Sequence, residues 1–159
     1  LAWDVSEHGE AIFELAPARE NLMAELAERM AKCGGFGIFI DYGHLQSGYG
    51  DTVQALKGHA YTNPLESPGE ADVTSHVDFA ALATVARNSG QSVPKMLTQG
   101  EFLTRLGIRE RTATLCALHP DRRDTFETAC DRLVENDKMG SLFKVMAVAS
   151  PDMTLPAFD

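Results

Sequence analysis

Between residues 17 and 33 apolar side chains recur at helical spacing, with Leu22, Met23, Leu26 and Met30 on one face, which predicts an amphipathic helix. Pro17 suits its first turn, where a missing N–H costs nothing. Gly34-Gly35 supplies the stop. Residues 36–40 then run apolar without alternation, which predicts a strand over 36–41 covered on both faces, as in a parallel sheet. A helix followed by a buried strand is half of a βαβ unit. Upstream, 1–5 and 11–15 read as short extended pieces around the turn-forming Ser6-Glu7-His8-Gly9, a hairpin remnant over 1–15.

Residues 43–72 are too rich in glycine and proline for a helix; 53–61 reads as a short strand ended by Pro64 and Pro68. Asp78 is a good N-cap for a helix through Phe79, Leu82, Val85 and Ala86, ended by Asn88-Ser89-Gly90. Residues 92–97 predict another strand, which Pro94 demotes toward an edge. Thr98-Gln99-Gly100-Glu101 has the capping-box pattern, and Gly107 stops that short helix. Helices over 109–118 and 121–136 complete a helical insertion at 98–140. A strongly apolar strand over 142–149 and a coil tail from Pro151 close the chain. The order predicts one α/β domain or partial domain over 1–159.

At 159 residues the chain has room for one real core. A formal net charge of −9 argues against a nucleic-acid partner, because phosphates demand clustered Lys and Arg. Arg105, Arg109 and Arg111 read as a solvated helix face. No apolar run reaches the ~18 residues of a membrane helix. Cys33, Cys116 and Cys130 have no metal or disulfide spacing and read as small packing residues in a reducing compartment. The start at Leu1, without Met or a basic leader, reads as a trimmed or partial chain.

The most informative stretch is Asp41-Tyr42-Gly43-His44, at the carboxyl end of the apolar strand. Ligands of open α/β sheets bind in the crevice outside strand ends. An ionisable trio there is expensive without a purpose. A second polar cluster, 69–78, opens the next helix. His44, His59 and His76 lack metal-ligand spacing. No nucleophile elbow occurs, and Gly48-Tyr49-Gly50 lacks the third glycine and following helix of a phosphate loop.

Several words stand in a fixed order along the chain. They are Asp41-Tyr42-Gly43-His44, Gly50-Asp51-Thr52-Val53-Gln54-Ala55, Gly58-His59, residues 68–79, Thr98-Gln99-Gly100-Glu101-Phe102-Leu103, Leu106-Gly107-Ile108, Met139-Gly140 and Leu142-Phe143-Lys144-Val145, with Glu14 and Pro17 ahead of the first helix. This run resembles the MidA-type S-adenosylmethionine-dependent methyltransferases, a family that includes a mitochondrial complex I assembly enzyme. The resemblance implies the C-terminal part of a class I, Rossmann-like sheet: strands five to seven, with a helical insertion before a last antiparallel strand. It implies methyl transfer to an arginine side chain of a partner protein, with a respiratory complex I subunit as one setting. The cofactor it implies is S-adenosylmethionine, held mainly by a glycine-rich loop and an acidic residue that this chain lacks. The chain alone is therefore expected to be inactive.

Asp41, Tyr42, His44, Asp51, His59 and Glu70 match family words and are the expected acceptor-side residues. Asp41 and Glu70 would form the carboxylate pair that suits a guanidinium. A missing N-terminal half or a companion chain would cover the sheet edge before residue 36. A bacterial cytoplasm and a mitochondrial matrix both fit. The competing reading is a non-catalytic protein-binding module derived from a methyltransferase.

Overall fold

The structure, a computed structural model, describes residues 11–66 and 68–158. In chain order it contains α1 (Pro17–Cys33), β1 (Phe36–His44), β2 (Gln54–Lys57), β3 (Ala60–Thr62), β4 (Asp72–Thr74), β5 (Val77–Asp78) and α2 (Phe79–Asn88). There follow β6 (Leu97–Thr98), α3 (Gln99–Arg105), α4 (Ile108–Leu118), a 3-10 turn (Pro120–Arg122), α5 (Arg123–Val134), α6 (Met139–Leu142) and β7 (Phe143–Ala149). The main sheet has the order β5-β1-β7-β6, and a small antiparallel sheet has the order β3-β2-β4.

β7 runs antiparallel to β1 in unbroken register from Phe36 opposite Ala149 to Tyr42 opposite Phe143. On the other side, β5 joins β1 in parallel at only Gly43 and His44. The apolar stretch expected over 142–149 therefore becomes, from Phe143 on, an inner strand of the sheet beside β1. Met146 and Val148 pack under α1 and α2 with Met23, Phe79, Leu82 and Ala86. Val145, Ala147 and Ala149 face the opposite side, against Leu97, Phe102, Leu155 and Phe158.

The double coverage expected for the first strand belongs to β7 instead. β1 turns Phe39 toward Met30 and the α1–α2 core. Phe36, Ile38 and Ile40, on its other face, remain 55%, 42% and 48% exposed. The layer of α3 and the chain end that covers β7 stops short of β1.

Local signals explain the element ends. Pro17 opens α1 and Gly34, at φ 71°, closes it. Asp78 Oδ1 accepts the Ala81 amide at 3.0 Å. Thr98 and Glu101 form both arms of the capping box.

Other expectations need correction. Residues 11–15 are irregular rather than extended into a ladder, because Ile12 and Glu14 spend their bonds on the loop at 50–52; the expected piece at 1–5 lies outside the described residues. The strand expected over 53–61 is two strands around a tight turn, with both Gly58 and His59 at positive φ. The strand expected over 92–97 shrinks to a Ser92–Ala149 bridge and β6, with Pro94 between them. The tail is coil, as expected, yet its Leu155 and Phe158 are core residues. Cys116 and Cys130 are buried, whereas Cys33 is exposed at the end of α1. Among the described residues, no helix is long and apolar enough to cross a membrane.

Candidate functional site

At the carboxyl end of β1 the chain passes through Gly43 and His44 into an irregular loop. Gly43 is required there: a Cβ would stand 2.2 Å from the Val77 carbonyl oxygen. Its absence lets β5 close against β1 and sets His44 beside Asp78 in register. His44 Nε2 lies 3.7 Å from Asp78 Oδ2, while the other Asp78 oxygen caps α2. These residues form one wall of an open cleft of about 1040 Å³, whose other walls carry Glu14, Arg19, Tyr49, Thr52, His76 and Lys144.

Two clamps hold the cleft in shape. The Arg19 guanidinium, on the first turn of α1, donates to Ser75 Oγ at 2.8 Å and to the His76 carbonyl at 2.7 Å. The Glu14 carboxylate accepts from the Thr52 amide at 2.7 Å and from the Thr52 hydroxyl. Thr52 Oγ1 in turn accepts the His76 amide at 2.9 Å. The segment before α1, the loop after β1 and the strand leading into α2 are thus tied by charge-assisted bonds.

Burial pushes the Glu14 carboxyl up. Bonds from the Thr52 hydroxyl and the Thr52 and Val53 amides outweigh it and leave the group below its ordinary value. Burial pushes the Lys144 ammonium down, and its Nζ donates to the carbonyls of Ser141 and Leu142.

Of the six residues expected from sequence, His44 lines the cleft. Tyr42 lies beside it, its ring 5.7 Å from those of both His76 and Phe143. Asp41 is exposed and its Oδ1 accepts its neighbour Tyr42's amide at 2.8 Å. Asp51 is exposed next to Thr52. His59 occupies the β2–β3 turn, exposed, at φ 66°. Glu70 pairs with Lys57 on the surface of the small sheet. Asp41 and Glu70, expected as the carboxylates for a guanidinium, meet the Tyr42 amide and Lys57 respectively.

Arg19, Thr52, Ser75 and Lys144 were not singled out by sequence reasoning, and Asp78 was explained there by its cap alone. A usable signal existed: an arginine two residues after a helix-opening proline has no partner on its own helix turn.

Comparison with known proteins now decides the class. A family model described as "Putative S-adenosyl-L-methionine-dependent methyltransferase" matches residues 2–97, more than half of the chain. This chain belongs to that family. Its relatives include the zebrafish (Danio rerio) "Protein arginine methyltransferase NDUFAF7, mitochondrial", 35% identical over 130 residues, covering 80% of this chain and 30% of the relative. The Caenorhabditis elegans homolog of the same name is 31% identical over 141 residues, covering 86% of this chain and 32% of its own. The chain thus spans about a third of the length of these curated relatives. Among solved structures, a Burkholderia thailandensis superfamily member bound to S-adenosyl-homocysteine matches with a TM-score of 0.78 and 25% identity, over 91% of this chain and 39% of that one. Family members thus share the mixed α/β arrangement seen here.

One glycine joint bears on cofactor binding by the described residues. Among them, the joint where a strand meets a helix through glycine is Thr98-Gln99-Gly100, and the place of a Gly100 Cβ is filled by the Val134 carbonyl at 2.4 Å. That glycine serves backbone packing and offers no phosphate or ribose cradle. No group of three or more His, Cys, Asp or Glu among the described residues could hold a metal ion.

Proposed function

We propose that the parent polypeptide of this chain is an S-adenosylmethionine-dependent methyltransferase that methylates an arginine side chain of a partner protein. The observation that carries this reading is the clamped cleft at the carboxyl end of β1, where a family of methyltransferases has its matching residues. The arginine methyltransferase names of the relatives support the acceptor class. S-adenosylmethionine, when bound, supplies a methyl group on a sulfonium sulfur.

In this reading the chain is the C-terminal, acceptor side of the sheet, its strands five to seven. The nucleoside is held by a part of the parent outside it. The exposed stripe of Phe36, Ile38 and Ile40 is then covered by that part or by a companion chain, which an open apolar strand needs.

The cleft's contribution is orientation, because placing an acceptor nitrogen in line can supply much of a rate. Glu14 and Glu20 put carboxylates on its wall, where a guanidinium meets negative potential. We assign to Asp41, Tyr42 and Asp51 contact with the partner protein near the cleft, and to His59 and Glu70 contact from the small sheet. Relatives named mitochondrial support a matrix setting. A respiratory complex I subunit as acceptor rests on the family resemblance.

The test is to mix the purified parent with isotope-labelled S-adenosylmethionine and cell extract and to locate label by mass spectrometry. Labelled arginine is the expected result. Absence of cofactor binding by the parent in calorimetry overturns the reading.

A further inference from the structure

We infer that His44, steered by Asp78, is the proton acceptor for the arginine nitrogen that receives the methyl group; this rests on the methyltransferase reading above. An acceptor guanidinium gains a carbon and must lose one proton to keep its charge. His44 and His76 both line the cleft, and among the described residues His44 is the imidazole with a carboxylate set against it, Asp78 at 3.7 Å.

The pair is built by the fold. Gly43 lets β5 approach β1, the parallel register sets His44 opposite Asp78, and the α2 N-cap bond pins one carboxylate oxygen so that the other faces the imidazole at 3.7 Å. At 3.7 Å the two groups are close without being hydrogen-bonded, and contacts of this kind tighten when an acceptor fills the site. Once tightened onto Nε2, the Asp78 carboxylate favours the neutral ring's hydrogen there and leaves the Nδ1 lone pair free. As the acceptor nitrogen bonds to the methyl carbon, the donor's carbon–sulfur electron pair stays on sulfur. The acceptor N–H pair stays on nitrogen, and its proton bonds to His44 Nδ1. The imidazolium formed faces the Asp78 carboxylate and later releases its proton to water.

Other charges meet at the same place. Glu14, from the segment ahead of α1, adds negative potential at His44. Arg19 and Glu20 on α1, His76 before β5 and Lys144 on β7 also line the cleft. Arg19 is engaged by Ser75 and His76, and Lys144 by carbonyls of its own turn. Asp78 is therefore a positioning residue, and His44 the catalytic one.

The test uses the full-length parent with an arginine-containing acceptor peptide. His44→Gln should lower kcat on the order of 100-fold, the usual scale for a general base, leave the peptide KM within about twofold, and abolish the fall of kcat on acidification. Asp78→Asn keeps a good N-cap but removes the charge. It should lower kcat about tenfold with KM unchanged. A nitrogen-15 spectrum taken without methyl donor should show His44 with hydrogen on Nε2 in the wild type and mixed tautomers in Asp78→Asn.

Arginine methylation by the wild type together with an unchanged kcat and acid limb in His44→Gln overturns this inference alone. An identical tautomer signature in Asp78→Asn overturns the role of Asp78. No methylation by the wild type at any pH overturns the underlying reading as well.

Discussion

Replacing Gly43 with alanine tests the architecture of the cleft directly. The new Cβ would lie 2.2 Å from the Val77 carbonyl oxygen and 3.0 Å from the Val77 carbonyl carbon and amide nitrogen. Ordinary contacts need about 3.5 Å, so β1 and β5 must separate by roughly 1 Å. Both obstructing groups are backbone, and no rotamer change relieves them. β5 has two residues and two register positions against β1, so separation forfeits its pairing. Overpacking of this kind costs about 1–3 kcal/mol, and each lost hydrogen bond adds about 1 kcal/mol. The lower entropy of the unfolded chain returns about 0.4–1 kcal/mol. The expected net loss is therefore about 2 kcal/mol, read as a lower urea midpoint with an unchanged slope. Gly48→Ala is the matched control, because a Cβ there meets nothing within 4 Å, and it should be neutral or slightly stabilising. A Gly43→Ala midpoint within about 0.5 kcal/mol of wild type would refute the close approach of β1 and β5.

Three further outcomes follow from the same structure. Glu14 has its folded-state value below its ordinary one, so its bonds stabilise the protein above the ordinary carboxyl range, and that stability is lost as pH falls through the folded value; the urea midpoint of Glu14→Gln should lie below wild type at neutral pH and converge with it as pH falls through that folded value. Thr98→Ala removes one arm of the capping box and should cost about 1 kcal/mol in thermal or urea unfolding, with Thr98→Ser recovering most of it. Phe158→Ala should cost about 3 kcal/mol despite its place one residue from the chain end, since its ring is 7% exposed and 5.5 Å from that of Phe102; a loss below about 0.5 kcal/mol would show that the tail does not pack.

Sequence made legible whatever local signals decide. The α1 stripe with Pro17 and Gly34, the Asp78 cap, the Thr98–Glu101 box and the apolar run of β7 all state their structure within a few residues. What it concealed depends on distant partners. The Arg19 clamp joins residues separated by 56 positions, and the Glu14–Thr52 bonds by 38. Nothing near Asp41 marks its carboxylate as turned to its own neighbour's amide, nor does anything near Glu70 announce Lys57. The backbone at His59 was hidden for a different reason: Gly58-His59 is a turn whose two positive φ values fit a tight hairpin, and the sequence around it reads as one continuous strand. Phe36, Ile38 and Ile40 have the composition of a doubly covered strand, but composition cannot say which chain segment provides the cover.

The pairing of Phe36 with Ala149 also has a consequence for synthesis. β1 leaves the ribosome about a hundred residues before the strand that completes its ladder, and loop closure over that distance is slow relative to local helix formation. α1 and α2 can form meanwhile, but β1 must wait with its inner edge open, a state in which unpaired apolar strands aggregate. A nascent chain stopped before Phe143 should therefore be a chaperone client even when every helix has formed. A premature stop before β7 would then be more damaging than the loss of a single strand implies.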